Sequence, residues 1–189
     1  MQVKVEQVTP WLRALNAARW TVSKERLSKE PSLGWKSNII CAEHSPIRLV
    51  EFDIWIENIP AFVAAHLVRH HEGVVPFQCT NREDRRNVVP WEINRLTPVN
   101  LMMSCNTQAL INISRKRLCK KAHEETIKVW QTVKDAIAEI DPIVAKYMVR
   151  ECVYRGFCPE EKSCGKAVGK HYEEELIKYR TRKIIEENE

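Results

Sequence analysis

No stretch of this sequence comes near the roughly 18–20 consecutive apolar residues that a membrane span requires, which excludes a membrane-spanning helix as its organising feature. Glycine is scarce, with 5 in 189 residues; proline contributes 9, and no dipeptide repeats. That composition excludes collagen-like, low-complexity and broadly disordered chains. The opening MQVKVEQVTPW lacks the basic-then-apolar layout of a secretory signal, so the expectation is a soluble, intracellular protein. Tight Cys-x-x-Cys knuckles are missing as well. The odd set of seven cysteines (Cys41, Cys79, Cys105, Cys119, Cys152, Cys158 and Cys164) is therefore expected to be reduced thiols, not a disulfide framework.

What is present suffices for a core. A chain of 189 residues, 44% hydrophobic and 29% charged, suits one compact domain. Its net charge of +5 is modest but unevenly placed: Arg115, Lys116, Arg117, Lys120 and Lys121 put five cations into seven positions. Such a patch attracts phosphate, on a nucleotide or a nucleic acid. It serves equally well as a solvated helix end whose cations complement the dipole. Cys152, Cys158 and Cys164 recur at an even spacing of six. They would hold zinc only if a fourth ligand, such as Cys119 or His171, came near, and the spacing alone assigns no metal.

Thr9-Pro10 predicts a helix start, with Trp11, Leu12, Leu15 and Ala18 at helical spacing. A polar stretch follows from Ser23 to Ser37. LVEFDIWI, residues 49–56, alternates apolar and acidic residues and predicts a half-buried strand. Pro60 then starts AFVAAHLVRHH, an amphipathic helix carrying Arg69, His70 and His71 at its end. Residues 72–98 read as a loop broken by Pro76, Pro90 and Pro98. Residues 99–118 predict one long helix, and a second runs from about His123 to Ile140, ended by Asp141-Pro142. The tail from residue 173 reads as a charged helix, exposed or packed on a partner. These elements make an α+β fold, a small antiparallel or mixed sheet with long helices.

Three clusters collect polar groups that a plain core does not need: His44-Ser45-Pro46, Arg69-His70-His71 with Cys79 beyond it, and Asn106, Gln108, Asn112 and Arg117. Asn106 and Arg117 lie eleven residues apart and thus within about 20° on a helix, whereas Asn112 is about 120° away. Such a helix faces two polar surroundings, and its apolar Leu101, Met102, Leu110, Ile111 and Ile113 argue for an interface bearing a site. Each cluster has a plain reading beside the functional one. His44 suits a turn, Arg69-His70-His71 a cationic helix end, His66 a satisfied core position, and Cys79 a small apolar residue.

Taken together the clusters resemble the flavin-dependent thymidylate synthases, in a compact phage-type branch. That family's signature is Arg-His-Arg, seven residues, then Ser; here Arg69-His70-His71 is followed by EGVVPFQ and Cys79. NAARWT resembles the family's early Ala-Ala-Arg segment, with Thr21 as the hydroxyl residue that approaches the flavin. AEHSPIRLVEF resembles its His-x-Pro segment before a strand, and NTQALINISRKRL its Asn-x-Arg segment, with Gln108 where many members carry Arg. The likeness runs from about residue 12 to residue 126, and residues 1–150 are expected to form the catalytic domain. Residues 151–189 would add a cysteine-containing segment and a charged helix.

The resemblance implies FAD held across a homotetramer, dUMP methylated at C5 to dTMP, methylenetetrahydrofolate as carbon donor and NADPH as reductant. It implies a cytoplasmic enzyme of a bacterial or phage-infected cell. Cofactor contacts fall to Thr21, His44, Arg69, His70, His71, Asn106 and Asn112, and substrate contacts to Arg82, Gln108 and Arg117. Catalytic roles fall to Arg117 and His70, with Cys79 as a variant nucleophile. His71 and Cys79 depart from the signature, and Asn81 stands where the family has Arg. These departures motivate a second reading: the same scaffold acting on dCMP, or delivering a hydroxymethyl group. A third is a degenerate, nucleic-acid-binding protein on the same fold.

Overall fold

The computed structural model describes residues 1–80, 85 and 93–181. Four strands form one antiparallel sheet in the order β1-β2-β4-β3. They are β1 (Gln2–Gln7), β2 (Glu51–Pro60), β3 (Val74–Gln78) and β4 (Pro98–Asn106). β2 alternates as its sequence requires, sending Phe52, Ile54 and Ile56 fully inward. A register shift between Ile56 and Ile59, with Asn58 at φ 58°, keeps Ile59 in the core. β1 was not anticipated, although QVKVEQ has the same alternation and pairs along β2 from Gln2↔Glu57 to Gln7↔Phe52.

The helix expected over 99–118 is corrected: its first half is β4 and its second half is α4 (Thr107–Arg117), the chain turning at Asn106. Val99, Leu101, Met103 and Cys105 are buried on alternate positions of β4, a period-two pattern hidden by the unbroken apolar run Leu101-Met102-Met103. β4 fills the gap between β2 and β3, so ladder pairing on both edges outweighs local helix propensity. The loop expected over 72–98 is likewise corrected where β3 forms. β3 lies at the sheet edge, the position that tolerates its Pro76.

Helices cover one sheet face. They are α1 (Trp11–Trp20), α2 (Leu33–Cys41), α3 (Ala61–Leu67), α5 (Glu124–Ile140) and α6 (Pro142–Tyr147), with α4 and a 3-10 turn at Ser45–Leu49. α5 packs on β1, and Trp130 donates its indole N–H to Ser114 Oγ on α4 at 2.9 Å. Asp141 joins three elements. Its Oδ2 accepts from the Trp11 indole at 2.6 Å, while Oδ1 accepts from the N–H groups of Ile143 and Val144 at 3.1 Å and caps α6. The chain then forms α7 (Glu151–Arg155), the irregular residues 156–169 and α8 (Lys170–Arg180). These last elements share a separate small cluster of Cys152, Val153 and Tyr172. Among the described residues no helix is long and apolar enough to cross a membrane.

Candidate active site

Two helix C-termini meet here. α3 ends at Leu67, so Arg69, His70 and His71 lie just beyond it and not on it, and Arg117 is the last residue of α4. The Arg117 Nη2 group donates to the carbonyl oxygen of His66 at 2.6 Å, satisfying one of the carbonyls that the end of α3 leaves open. Its Nε donates to His70 Nε2 at 2.9 Å. An imidazole that accepts at Nε2 carries its proton on Nδ1 and is neutral. The electrostatics agree: burial, then Arg117, then His71 push the His70 pKa down to about 4.

The surroundings extend this positive field. His66 Nδ1 is 2.9 Å from the hydroxyl of buried Thr126. Burial lowers the pKa of His66, and Arg117, Arg69, His123 and Arg95 lower it further. Burial and the neighbouring Arg69 also lower that of Arg117. Among the described residues no carboxylate pairs with Arg69 or Arg117, so the patch has cations in excess. Such a patch can receive an anion, and among the described residues the remaining N–H groups of Arg117 have no partner. Arg95 and His123 joined it unforeseen, both gathered around the Phe62 ring. His123 had signalled only a helix start, and Arg95 lay in a stretch without pattern.

The opposite flank of α4 is balanced. Gln108 Nε2 donates to Glu43 Oε2 at 2.6 Å and to Asn112 Oδ1 at 3.3 Å. Arg115 pairs with Glu43, donates to Asn112 Oδ1 at 3.3 Å, and lies 3.5 Å over the Tyr154 ring. Gln108 and Asn112 are thus engaged within the chain, on the far side of α4 from Arg117. Asn106 spends its side-chain oxygen capping α4 through the Ala109 N–H, and its amide packs against Gly73, where a Cβ would fall 2.4 Å from Nδ2. With φ +70° and that close approach, position 73 requires glycine.

Thr21 and His44 lie elsewhere. Thr21 closes α1 by donating to the Ala18 carbonyl at 2.7 Å, and His44 is the exposed residue before the 3-10 turn. Among the described residues neither contacts His70 or Arg117. His71 is exposed, and exposed Cys79 follows β3, its N–H bonded to the Asn100 carbonyl at 2.9 Å. Arg82 lies outside the described residues. The chain therefore brings together Arg69, His70 and Arg117, with His71 alongside, and leaves the other expected contacts apart.

No protein-family model matches this sequence, and no curated protein matches it. Solved structures do match. The flavin-dependent thymidylate synthase ThyX from Helicobacter pylori, complexed with FAD and dUMP, superposes with a TM-score of 0.65 at 14% identity, over 79% of this chain and 100% of that one. The UMP/dUMP methylase PolB from Streptomyces cacaoi, bound with 5-Br dUMP, superposes with a TM-score of 0.58 at 15% identity, over 77% of this chain and 94% of that one. The chain has the α+β fold of the flavin-dependent thymidylate synthases.

Proposed function

We propose that this protein is a flavin-dependent pyrimidine-nucleotide C5-methyltransferase that converts dUMP to dTMP with methylenetetrahydrofolate as carbon donor and NADPH as reductant. The observation that carries the reading is the Arg117–His70 pair inside a patch of uncompensated cations, on a fold whose solved examples hold FAD and dUMP. The donor set fits such ligands. Both carry phosphates, and Arg69 and Arg117 supply cationic donors with no carboxylate paired to them among the described residues.

Bound beside His70, FAD would supply the hydride that completes the methyl group. The chain's own residues supply orientation and field. Arg117, partly desolvated and pinned by the His66 carbonyl and His70, offers its free N–H groups to the pyrimidine oxygen on which negative charge develops as C5 attacks. His70, neutral, would offer its ring and Nδ1 proton to the flavin, and Arg69 and His71 would contribute to holding phosphate. No protein nucleophile is needed in the mechanism that the resemblance implies, and Cys79 has no catalytic role in this reading.

Assembly into a homotetramer completes the site in this reading. The outer sheet face carries Phe77, Met102 and Trp55 in one register row, and Phe77 and Trp20 are 59% and 77% exposed. In this reading Thr21 and His44 would reach Arg69 and His70 from neighbouring subunits, as the resemblance implies. Of the cations on which the nucleic-acid reading rests, Arg115 and Lys116 pair with Glu43 and Glu151. His71 and Cys79, both exposed and both departures from the signature, keep dCMP or hydroxymethyl transfer as the second reading.

The test is direct. Purified protein should be yellow or bind added FAD, and the reduced enzyme with folate donor and dUMP should yield dTMP by mass. A colourless protein that takes up no FAD overturns the proposal. Turnover of dCMP, or a hydroxymethyl product, selects the second reading.

A further inference from the structure

Residues 156–169 pose a packing problem. They carry no helix or strand, although a loop of this length without structure of its own is uncommon in a compact domain. The cluster beneath them has only three buried residues, Cys152, Val153 and Tyr172. Within residues 157–168 one hydrogen bond holds the segment, Gly165 N–H to Ser163 Oγ at 3.2 Å. Val149, Cys158, Ala167, Leu176 and Tyr179 pack half-buried around that cluster, and a cluster this small gains much from a staple.

The cysteines stand where a staple would be. Cys119 follows α4, Cys152 lies on α7, and Cys158 and Cys164 lie in the irregular segment, yet all four line one small cavity of about 10 Å³, the space of a single water or ion. Lys120, Lys121, Arg150 and Lys166 line the same cavity against Glu151 and Glu160. Arg150 Nε is buried with no hydrogen-bond partner. An excess of cations suits a centre in which four thiolates outweigh a divalent ion.

We propose that Cys119, Cys152, Cys158 and Cys164 bind one structural zinc ion, which fastens the C-terminal segment to the end of α4. Among the described residues no three thiol, imidazole or carboxylate groups already stand in metal-binding geometry, so zinc would draw the four sulfurs inward around the cavity. Tetrathiolate coordination is the closed, soft-ligand arrangement of structural zinc, and it leaves no open position for substrate. Cys119 is two residues beyond Arg117 and Lys116 already bonds Glu151 at 3.3 Å, so the centre would also steady the catalytic arginine.

Elemental analysis of the full chain, purified untagged under reducing conditions, should find about one zinc per chain. Cys158→Ser and Cys164→Ser should lose it, and Cys41→Ser should keep it. Because a serine variant can fail to fold, the wild-type protein should also take cobalt and develop the intense absorbance of a tetrahedral thiolate site. Chelation should then expose residues 156–169 to limited proteolysis. Protein that is metal-free as isolated and takes up neither zinc nor cobalt overturns the proposal, as does iron in place of zinc. Intact mass showing disulfides among these cysteines overturns it too. Each readout is independent of FAD binding, so the zinc centre and the proposed activity stand or fall separately.

Discussion

The two flanks of α4 carry similar side chains and opposite electrostatics. On one, Arg115 is matched by Glu43, shares Asn112 with Gln108 and lies over Tyr154. On the other, Arg117 has a neutral imidazole and a carbonyl as partners, with Arg69 as a like-charged neighbour. A balanced flank stabilises the fold. An unbalanced one carries a standing electrostatic cost that an anionic ligand would relieve.

Breaking each flank should separate these roles. The largest effect is expected from Arg117→Ala, which should lower kcat/KM for dUMP roughly a hundredfold or more, the scale of losing an oriented charge-stabilising donor. Arg117→Lys should restore little, because an ammonium cannot hold the carbonyl and imidazole together while facing the substrate. Steady-state kinetics and a melting curve on the same preparations check both. A variant that loses stability and keeps kcat/KM would reverse the assignment.

Next in size, Glu43→Ala should cost about 2 kcal/mol in urea unfolding, because it strands the half-buried Arg115 and removes an acceptor from Gln108. It should leave KM for dUMP nearly unchanged. Should KM rise sharply instead, the supposedly structural flank takes part in binding after all.

A smaller, pH-dependent effect belongs to His70. Its folded pKa of about 4 lies below the ordinary 6.5, so the folded protein binds fewer protons than the unfolded chain between those values. The stability linked to His70 is therefore complete above pH 6.5 and lost as pH falls toward about 4. Unfolding at a series of pH values should show this slope, and His70→Phe should remove part of it, leaving the share of the similarly lowered His66. Bound dUMP should raise the His70 pKa by adding negative charge, visible by NMR of the imidazole. The smallest effect is expected at exposed Cys79: Cys79→Ala should retain turnover, and loss of turnover would revive a nucleophilic thiol.

Much of the fold was legible because burial writes a period into the residues that face the core. The acidic-apolar alternation of 51–56 marked β2, Thr9-Pro10 marked the start of α1, and Asp141-Pro142 marked the break between α5 and α6. β4 was misread because its inner and outer residues are both apolar, which erases the alternation that tells strand from helix. β3 was missed because Pro76 argues against a strand everywhere except at an edge, and edges are decided by the whole sheet. In the site, Arg69-His70-His71 and Arg117 stood out by residue type and spacing. Arg95, His123 and the His66 carbonyl did not, since nothing local links positions that meet only when α3 and α4 end together.

By itself the order of residues determined which side chains carry charge, which carry imidazole or thiol, and which helical face each would share. Tertiary structure alone decided which of those charges are cancelled. Glu43 reaches Arg115 across 72 positions of chain while no described carboxylate reaches Arg117, and four cysteines spread from 119 to 164 come to line one small cavity. Pairing of charge falls off with distance in space, not along the chain, so only the folded arrangement separates a scaffold arginine from one held ready for a ligand.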